Sequence, residues 1–459
     1  MIELPPDRIA SEAGAEVVHA GGSGRPDRAV TDSREVRPGD LFFGLPGERA
    51  EGGEFAAAAL EDGAWGVVVA PEWAHSIAGA KAGRRAGDGA GWVLAAPDPL
   101  AALQRLARAW RRELSCPVVG ITGSVGKTSV KDICRAILPM RVHASPENFN
   151  TEIGLPLAIL GAPPETEALV LEMAMRGLGQ IAELSEIAEP DVGVITNIGP
   201  VHLELLGTLE AIVEAKAELL ASLSASGRAV VPADAEALRP HLGERLVTIT
   251  FGAGGDVFAL DARGDGRSLE ATIGTPDGSE RFEFPFAERH NLLNALAAIA
   301  VGTALEAPLG EMARRAPGIT FSRLRGERVE LPGGIVLVND WYNANPVSMR
   351  AALEHLVSLP AGRHLAVLGE MAELGPDAAE YHRLAGAHAR QLDVGPILGV
   401  GELARHFAPD AWAPDARAAV PLAEGMLQPD DAVLIKGSRS VGLELVGDEL
   451  RAHRGAAGR

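Results

Sequence analysis

Short apolar runs separated by helix-length amphipathic stretches recur along most of the chain. Runs of this kind suit strands buried on both faces, and their alternation with helices predicts parallel sheets covered on each side. LFFGL at 41–45 and WGVVVA at 65–70 read as buried strands around the helical FAAAALEDGA. CPVVGIT at 116–122 reads as a strand running into a glycine-rich turn and then the helical SVKDICRAIL, and ALVLE at 168–172 and VGVIT at 192–196 continue the rhythm. From about Asp256 to Phe286 the pattern shortens into strands joined by turns such as GDG and TPDG, which predicts an antiparallel addition before the helix NLLNALAAIAVG. IVLVND at 335–340, HLAVLGE at 364–370, PILGVG at 396–401 and AVLIKGS at 432–438 predict a further parallel sheet.

Breaks near 115 and 318 divide the chain into three α/β domains, 1–115, 116–318 and 319–459. The first is small, and the second is a doubly wound parallel sheet. The stretch AGAKAGRRAGDGAG, from Ala78 to Gly91, has the composition of a surface loop.

Composition narrows the classes of function. A length of 459 residues is too great for one ordinary core. An apolar content of 47% with 23% charged residues is that of a globular protein. The net charge of −20 would repel a phosphate backbone, so nucleic acid is not an expected partner. Cys116 and Cys134 are the only cysteines, which gives neither a disulfide framework nor zinc-site spacing and suits a reducing, cytoplasmic location. The N-terminal MIELPPDRIASEAG lacks the basic and apolar regions of an export signal. The longest apolar stretch, Leu292 to Leu305, is interrupted by Asn294 and falls short of the ~20 residues a membrane span needs. Lysine is rare: Lys81, Lys127, Lys131, Lys216 and Lys436 are the whole set, so arginine supplies 37 of the 42 basic residues. A lysine kept in such a chain marks a place where a compact ammonium, or an amine able to lose its proton, has a use.

The strongest chemical signal is GITGSVGKTS at 120–129, between a strand and a helix. Gly123 and Gly126 let the backbone turn its amides toward an anion, and Ser124, Val125 and Ser129 complete the loop. Lys127 reaches terminal phosphates, and the Thr128 hydroxyl can hold magnesium. The strict phosphate-loop spacing has glycine where Ile121 stands, so the motif is a variant. Glu172, Asn197 and His202 follow two other strands whose ends face the same crevice, so Glu172, His202 and Thr128 can converge on metal beside a triphosphate. Lys216 lies between Glu214 and Glu218 in EAIVEAKAELL, and the residues alone give it a solvated helix face.

Taken together these segments resemble the ATP-dependent Mur ligases of peptidoglycan synthesis, over nearly the whole chain. The likeness is greatest to members that add D-alanyl-D-alanine to UDP-N-acetylmuramoyl-tripeptide. TDSREVRPGDLFFGLPGE is similar to the family's nucleotide-sugar segment, with Ser33 and Arg34 at positions that meet the UDP part. ITGSVGKTSVKD is similar to its phosphate loop, and NFNTEIGLPL at 148–157, with Asn150, Thr151 and Glu152, to its muramoyl-peptide loop. RHNLLNALAA resembles the adenine-side segment through Asn291 and Asn294. NDWYNANPVSMRAAL at 339–353 is the most specific signature, and LGEMAELG and KGSRSVGLE complete the third domain.

The resemblance implies a P-loop ATPase-like central domain, a Rossmann-like third domain and a monomeric ligase acting through an acyl phosphate. It implies magnesium held by Thr128, Glu172 and His202, with Lys127, Lys216 and His202 in catalysis. Lys216 matches the lysine the family carbamylates with carbon dioxide, an anionic ligand for a second magnesium. Arg325, Asp340 and Asn343 match residues that close over ATP, with Asp340 toward the ribose; SRLRGER offers Arg323 as the alternative to Arg325. Closure about a hinge near 318 follows from ATP contacts split between two domains. Two departures stand out: the family's DGHxF is EGGEF at 51–55, and its EMG is EMA, with Ala174. The members that add a single third amino acid carry DYAHNP and DNPR motifs, which this chain lacks. A non-catalytic homologue is opposed by the presence of Lys127, Glu172, His202 and Lys216.

Overall fold

The computed structural model describes residues 2–47, 50–80, 91–146, 148–244, 246–264, 267–322 and 327–457. At its centre lies a six-stranded, fully parallel sheet. From edge to edge it runs Val247–Phe251, Arg228–Pro232, Val192–Ile195, Val118–Thr122, Ala168–Glu172 and Val142–Ala144. Alternate side chains of the middle strands leave the sheet on opposite faces. Val119, Ile121, Val170 and Val194 pack against the helices Lys127–Ile137 and Arg289–Ala304. Val118, Leu169 and Leu171 pack against Gly154–Leu160, Gln180–Ala188 and Leu209–Ser222 on the other side. This is the doubly wound sheet expected from the apolar runs. Strand order reverses about Val118–Thr122, so its C-terminal end opens on the crevice where such sheets bind ligands. The register sets Ile121 beside Glu172 and Thr122 beside Ile195, which fixes the two flanking loops next to the glycine-rich turn.

The antiparallel addition is a three-stranded sheet, Phe258–Gly264, Leu269–Thr275 and Gly278–Phe284. Leu269, Ala271, Ile273, Phe282 and Phe284 turn its apolar face onto the same core as Arg289–Ala304. The TPDG turn lies between its last two strands.

The N-terminal sheet runs Glu16–His19, Trp92–Ala95, Gly66–Val69, Leu41–Phe43 and Ala29–Val30, parallel except for the first strand. Helix Pro99–Leu114 joins it to the central sheet; its first turn is capped by Asp98 Oδ1, which accepts from the Ala101 amide at 3.0 Å. Leu103, Leu106 and Trp110 of that helix share one core with Phe43 and Leu94 on one side and Leu155 and Leu184 on the other. Helix Pro71–Ala80 takes in the start of the stretch expected as a loop from Ala78, and the rest, 81–90, lies outside the described residues.

The third sheet runs Glu327–Leu331, Ile335–Asp340, Asp431–Lys436, Arg363–Gly369, Ile397–Val400 and Ala411–Ala413. Its apolar runs announced four parallel strands; the first strand is antiparallel and the last is short, and neither has an apolar run to mark it. Cys116 and Cys134 are buried and unbridged. Among the described residues no helix is long and apolar enough to cross a membrane.

One helix of the third unit depends on a missing side chain. A Cβ at Gly386, in helix Ala378–Gln391, would lie 2.2 Å from the Phe407 carbonyl oxygen and 2.7 Å from its Cα. Glycine to alanine in a helix interior normally gains ~1 kcal/mol. Here the backbone approach reverses the sign, and Gly386→Ala is expected to lose ~1–3 kcal/mol through overpacking. Calorimetry checks this as a lowered Tm; an unchanged or raised Tm contradicts it.

Candidate active site

The turn after Val118–Thr122 is fastened to the segment after Val192–Ile195. Asn197 Oδ1 accepts from the amides of Ser124 at 3.1 Å and Val125 at 2.9 Å. Ser124 Oγ and Gly199 bond reciprocally at 2.9 Å, and Thr196 Oγ1 donates to the Val125 carbonyl. Gly123, at φ 147, lets Thr196 approach to where a Cβ would be 1.9 Å from its hydroxyl. The cradle is therefore narrower than the motif suggested. Two of its amides hold Asn197, and the groups left for an anion are those opening the helix Lys127–Ile137. Ile121 is no obstacle, because it belongs to the buried strand and lies in the core. Lys127 Nζ folds back onto the Gly123 carbonyl at 2.7 Å.

Glu172 ties this turn to the next loop. Its Oε2 accepts from Thr128 Oγ1 at 2.7 Å, its Oε1 from Asn150 Nδ2 at 2.9 Å, and its own amide donates to Ser145 Oγ at 3.1 Å. The carboxylate is buried, so the two bonds its oxygens accept replace water it has lost.

Lys216 departs from the reading of its residues alone. It is 2% exposed and belongs to the buried set of helix Leu209–Ser222 with Ile212, Val213, Ala215 and Leu219. The flanking glutamates occupy other faces of the helix, which is why a charged neighbourhood in sequence misled. Burial drives its amine well below the ordinary lysine value, and the positive charge of Lys127 pushes the same way. His202 begins the short helix Leu203–Leu206 and is half-buried; its Nδ1 contacts Glu373 Oε2 of the third unit. Burial holds the imidazole below its usual value, Glu373 opposes that, and Lys127 and Lys216 add to it.

Among the described residues no three His, Cys, Asp or Glu side chains form a self-sufficient metal cage. Magnesium seldom needs one, since one or two protein groups and the substrate's phosphates suffice. The buried Glu172 carboxylate with the Thr128 hydroxyl bonded to it, and His202 on the same cavity, fit that mode. Thr128, Glu172 and His202 would hold the ion, and Lys216 could join them only as an anion.

Lys127, Thr128, Glu172 and His202 open on a cavity of about 1350 Å³, walled also by the third unit, whereas Lys216 is not among its lining residues. Asp340 ends the strand Ile335–Asp340 and its Oδ2 accepts from Lys436 Nζ at 2.6 Å; Lys436 also donates to the Asn343 carbonyl at 2.9 Å. Asn294 Nδ2 donates to Asn291 Oδ1 at 3.1 Å, and both asparagines line the cavity with Asp340, Asn343, Asn150, Thr151 and Glu152. Contacts between the central and third units include His355 with Glu288, 3.3 Å, and the Tyr342 hydroxyl with Asn148. Arg325 and its alternative Arg323 lie outside the described residues.

Ser33 and Arg34 stand apart from this cavity, in the turn Ser33–Glu35, where the largely exposed Arg34 guanidinium pairs with Asp32 at 2.6 Å. Close by in sequence, EGGEF has a packing reason for its second glycine: a Cβ at Gly53 would fall 2.2 Å from the Trp73 ring, so Trp73 fills the room a histidine there would use. Ala174 is not among the left-handed residues and needs no glycine. Lys436 and Asn197 line the cavity and Glu373 touches His202, and the sequence assigned none of the three a role. The scarcity of lysine pointed to Lys436, whereas Glu373 lies in LGEMAELG, a segment that carries the resemblance but gives this residue no role.

The chain matches the Mur ligase middle domain over residues 121–302 and the Mur ligase glutamate ligase domain over 324–439. It is 34% identical to the UDP-N-acetylmuramoyl-tripeptide--D-alanyl-D-alanine ligase of Bacillus subtilis (strain 168), with 92% of each chain covered. It is 36% identical to the ligase of the same name from Mycobacterium tuberculosis (strain ATCC 25618 / H37Rv), with 98% of each covered. A crystal structure of MurF from Acinetobacter baumannii superimposes with a TM-score of 0.85 at 28% identity, over 98% of this chain and 99% of that one. MurF ligase from Thermotoga maritima in complex with ADP does so with 0.78 at 31%, over 92% and 96%.

Gly126 offers a direct probe of the anion cradle. It adopts φ 84, and a Cβ would lie 2.4 Å from Asn294 Oδ1. Gly126→Ala therefore strains the loop and displaces a cavity asparagine together. ADP affinity by calorimetry is expected to fall at least about tenfold, a loss of ~1.4 kcal/mol; undiminished binding contradicts the placement.

Proposed function

The chain belongs to the Mur ligase family, and we propose that it is the ATP-dependent ligase that joins D-alanyl-D-alanine to UDP-N-acetylmuramoyl-tripeptide. The observation that carries this reading is one cavity walled by the phosphate turn, by the Asn150–Glu152 loop bonded to Glu172, and by Asp340 and Asn343 of the third unit.

Amides from Gly126 to Ser129 receive the phosphates, Asn291 and Asn294 face the base, and Asp340 faces the ribose. Ser124 and Val125 act through Asn197, holding the turn in shape. Lys127 leaves the Gly123 carbonyl for the terminal phosphate. Asn150, Thr151 and Glu152 present the peptide carboxylate, while Ser33 and Arg34 serve the UDP end; Arg325 enters on resemblance alone. The working units of this reading are 1–115 for the nucleotide sugar, 116–318 for ATP and 319–459 for closure over it. The carboxylate attacks the γ-phosphorus and ADP departs, leaving an acyl phosphate. The amine of D-alanyl-D-alanine then attacks the carbonyl carbon, and the tetrahedral intermediate expels phosphate. Magnesium, when bound, neutralises charge on the transferring phosphoryl group.

Lys216 takes the form of a carbamate in this reading. Carbon dioxide adds to a neutral amine with loss of one proton, and burial, aided by the positive Lys127, favours the neutral form of the Lys216 amine. An arginine there could not react. In this reading the protein acts as a monomer, and a reaction fed by ATP and a UDP-linked precursor belongs in the cytoplasm.

Phosphate release is expected to require the nucleotide tripeptide and D-alanyl-D-alanine together. Robust turnover with a single free amino acid in place of the dipeptide contradicts the assignment. Lys216→Ala should lower turnover on the order of a hundredfold, in line with removal of one electrostatic stabiliser. Lys216→Arg should do no better, and small carboxylic acids should partly restore Lys216→Ala. Near-normal rates in the alanine variant would return Lys216 to a packing role.

A further inference from the structure

His202 follows the central strand Val192–Ile195, and Glu373 follows the third-unit strand Arg363–Gly369. They meet side chain to side chain: Glu373 Oε2 accepts from His202 Nδ1. The meeting is reinforced by the backbone, since the Glu204 amide donates to the Glu373 carbonyl at 3.2 Å. The other carboxylate oxygen stands 3.8 Å from Arg176 Nε. Both residues are left-handed, His202 at φ 55 and Glu373 at φ 61, a conformation that bulky side chains avoid unless their surroundings enforce it. At Gly375, itself at φ 67, a Cβ would press within 3.3 Å of the Glu204 backbone, so the two segments are closely seated.

A carboxylate can only accept, so the proton of the neutral ring sits on Nδ1 and the lone pair on Nε2. Orientation of a ligating imidazole by a carboxylate on its other nitrogen tunes metal sites strongly. We propose that Glu373 is a positioning residue for the phosphoryl-transfer site. It fixes the tautomer and direction of His202, and because it belongs to the third unit, the metal-binding set is complete only when that unit is docked. The inference rests on the reading of His202 as a magnesium ligand.

Manganese, a paramagnetic stand-in for magnesium, allows a test by electron paramagnetic resonance on the full chain with ADP present. Glu373→Gly removes the carboxylate and also relieves the left-handed backbone, so a loss cannot come from backbone strain. It is expected to weaken manganese binding about tenfold or more and to lower kcat with little change in KM for D-alanyl-D-alanine. Glu373→Gln keeps an acceptor for Nδ1–H and should stay within about threefold of the parent. Combined with His202→Ala, Glu373→Gly should add no further loss. Parental manganese affinity in Glu373→Gly, alongside a loss in His202→Ala, overturns the positioning role, as does an additive double loss. If His202→Ala also binds manganese normally, the metal reading beneath it fails as well.

Discussion

A primary amine 2% exposed in an apolar helix face is the constraint around which the nucleotide end of this protein is arranged. A buried, unpaired ammonium carries a penalty of several kcal/mol. Lys216 has in addition the positive Lys127 acting on it, so its neutral form is favoured from two directions. Ile212, Ala215 and Leu219 of the same helix belong to one core of the central sheet, and Val213 and Leu220 to another. The proposed carbamate resolves the conflict: it reverses the sign of the charge beside Lys127 and supplies an anion where phosphates and magnesium must be balanced.

The rest of the site is built to keep that balance in place. The turn bearing Lys127 is stapled to Thr196, Asn197 and Gly199, and Glu172 is tied to Thr128 on one side and Asn150 on the other. Each tie spans the ends of neighbouring strands, so the first contacts to phosphate and peptide rest on the least deformable part of the fold. The third unit approaches differently. It meets the central unit through side-chain contacts, among them His355 to Glu288, Tyr342 to Asn148 and Glu373 to His202, and through the backbone bond from the Glu204 amide to the Glu373 carbonyl.

Much of this was legible in the residues. The parallel strands announced themselves as β-branched runs because they are buried on both faces, and the phosphate turn by its glycines between a strand and a helix. Lys216 was not legible from its neighbours, since Glu214 and Glu218 give a helix the look of a solvated face although position 216 is buried. The role of Glu373 was hidden for a different reason, although the residue lies in the LGEMAELG segment. Its role depends on a contact with a residue in another unit, far away in sequence, and on a left-handed backbone that no local motif encodes. The strand Glu327–Leu331 was missed because an edge strand with exposed positions lacks the apolar run that marks its neighbours.

The central claim is that Lys216 is a carbamate when the enzyme works. The most direct measurement is a ¹³C NMR spectrum of the protein equilibrated with ¹³C-bicarbonate, magnesium and ADP, compared with that of Lys216→Arg. A protein-bound carbamate resonance present in the first and missing from the second is the predicted result. Identical spectra, with bicarbonate and carbon dioxide as the sole labelled species in both, would contradict it.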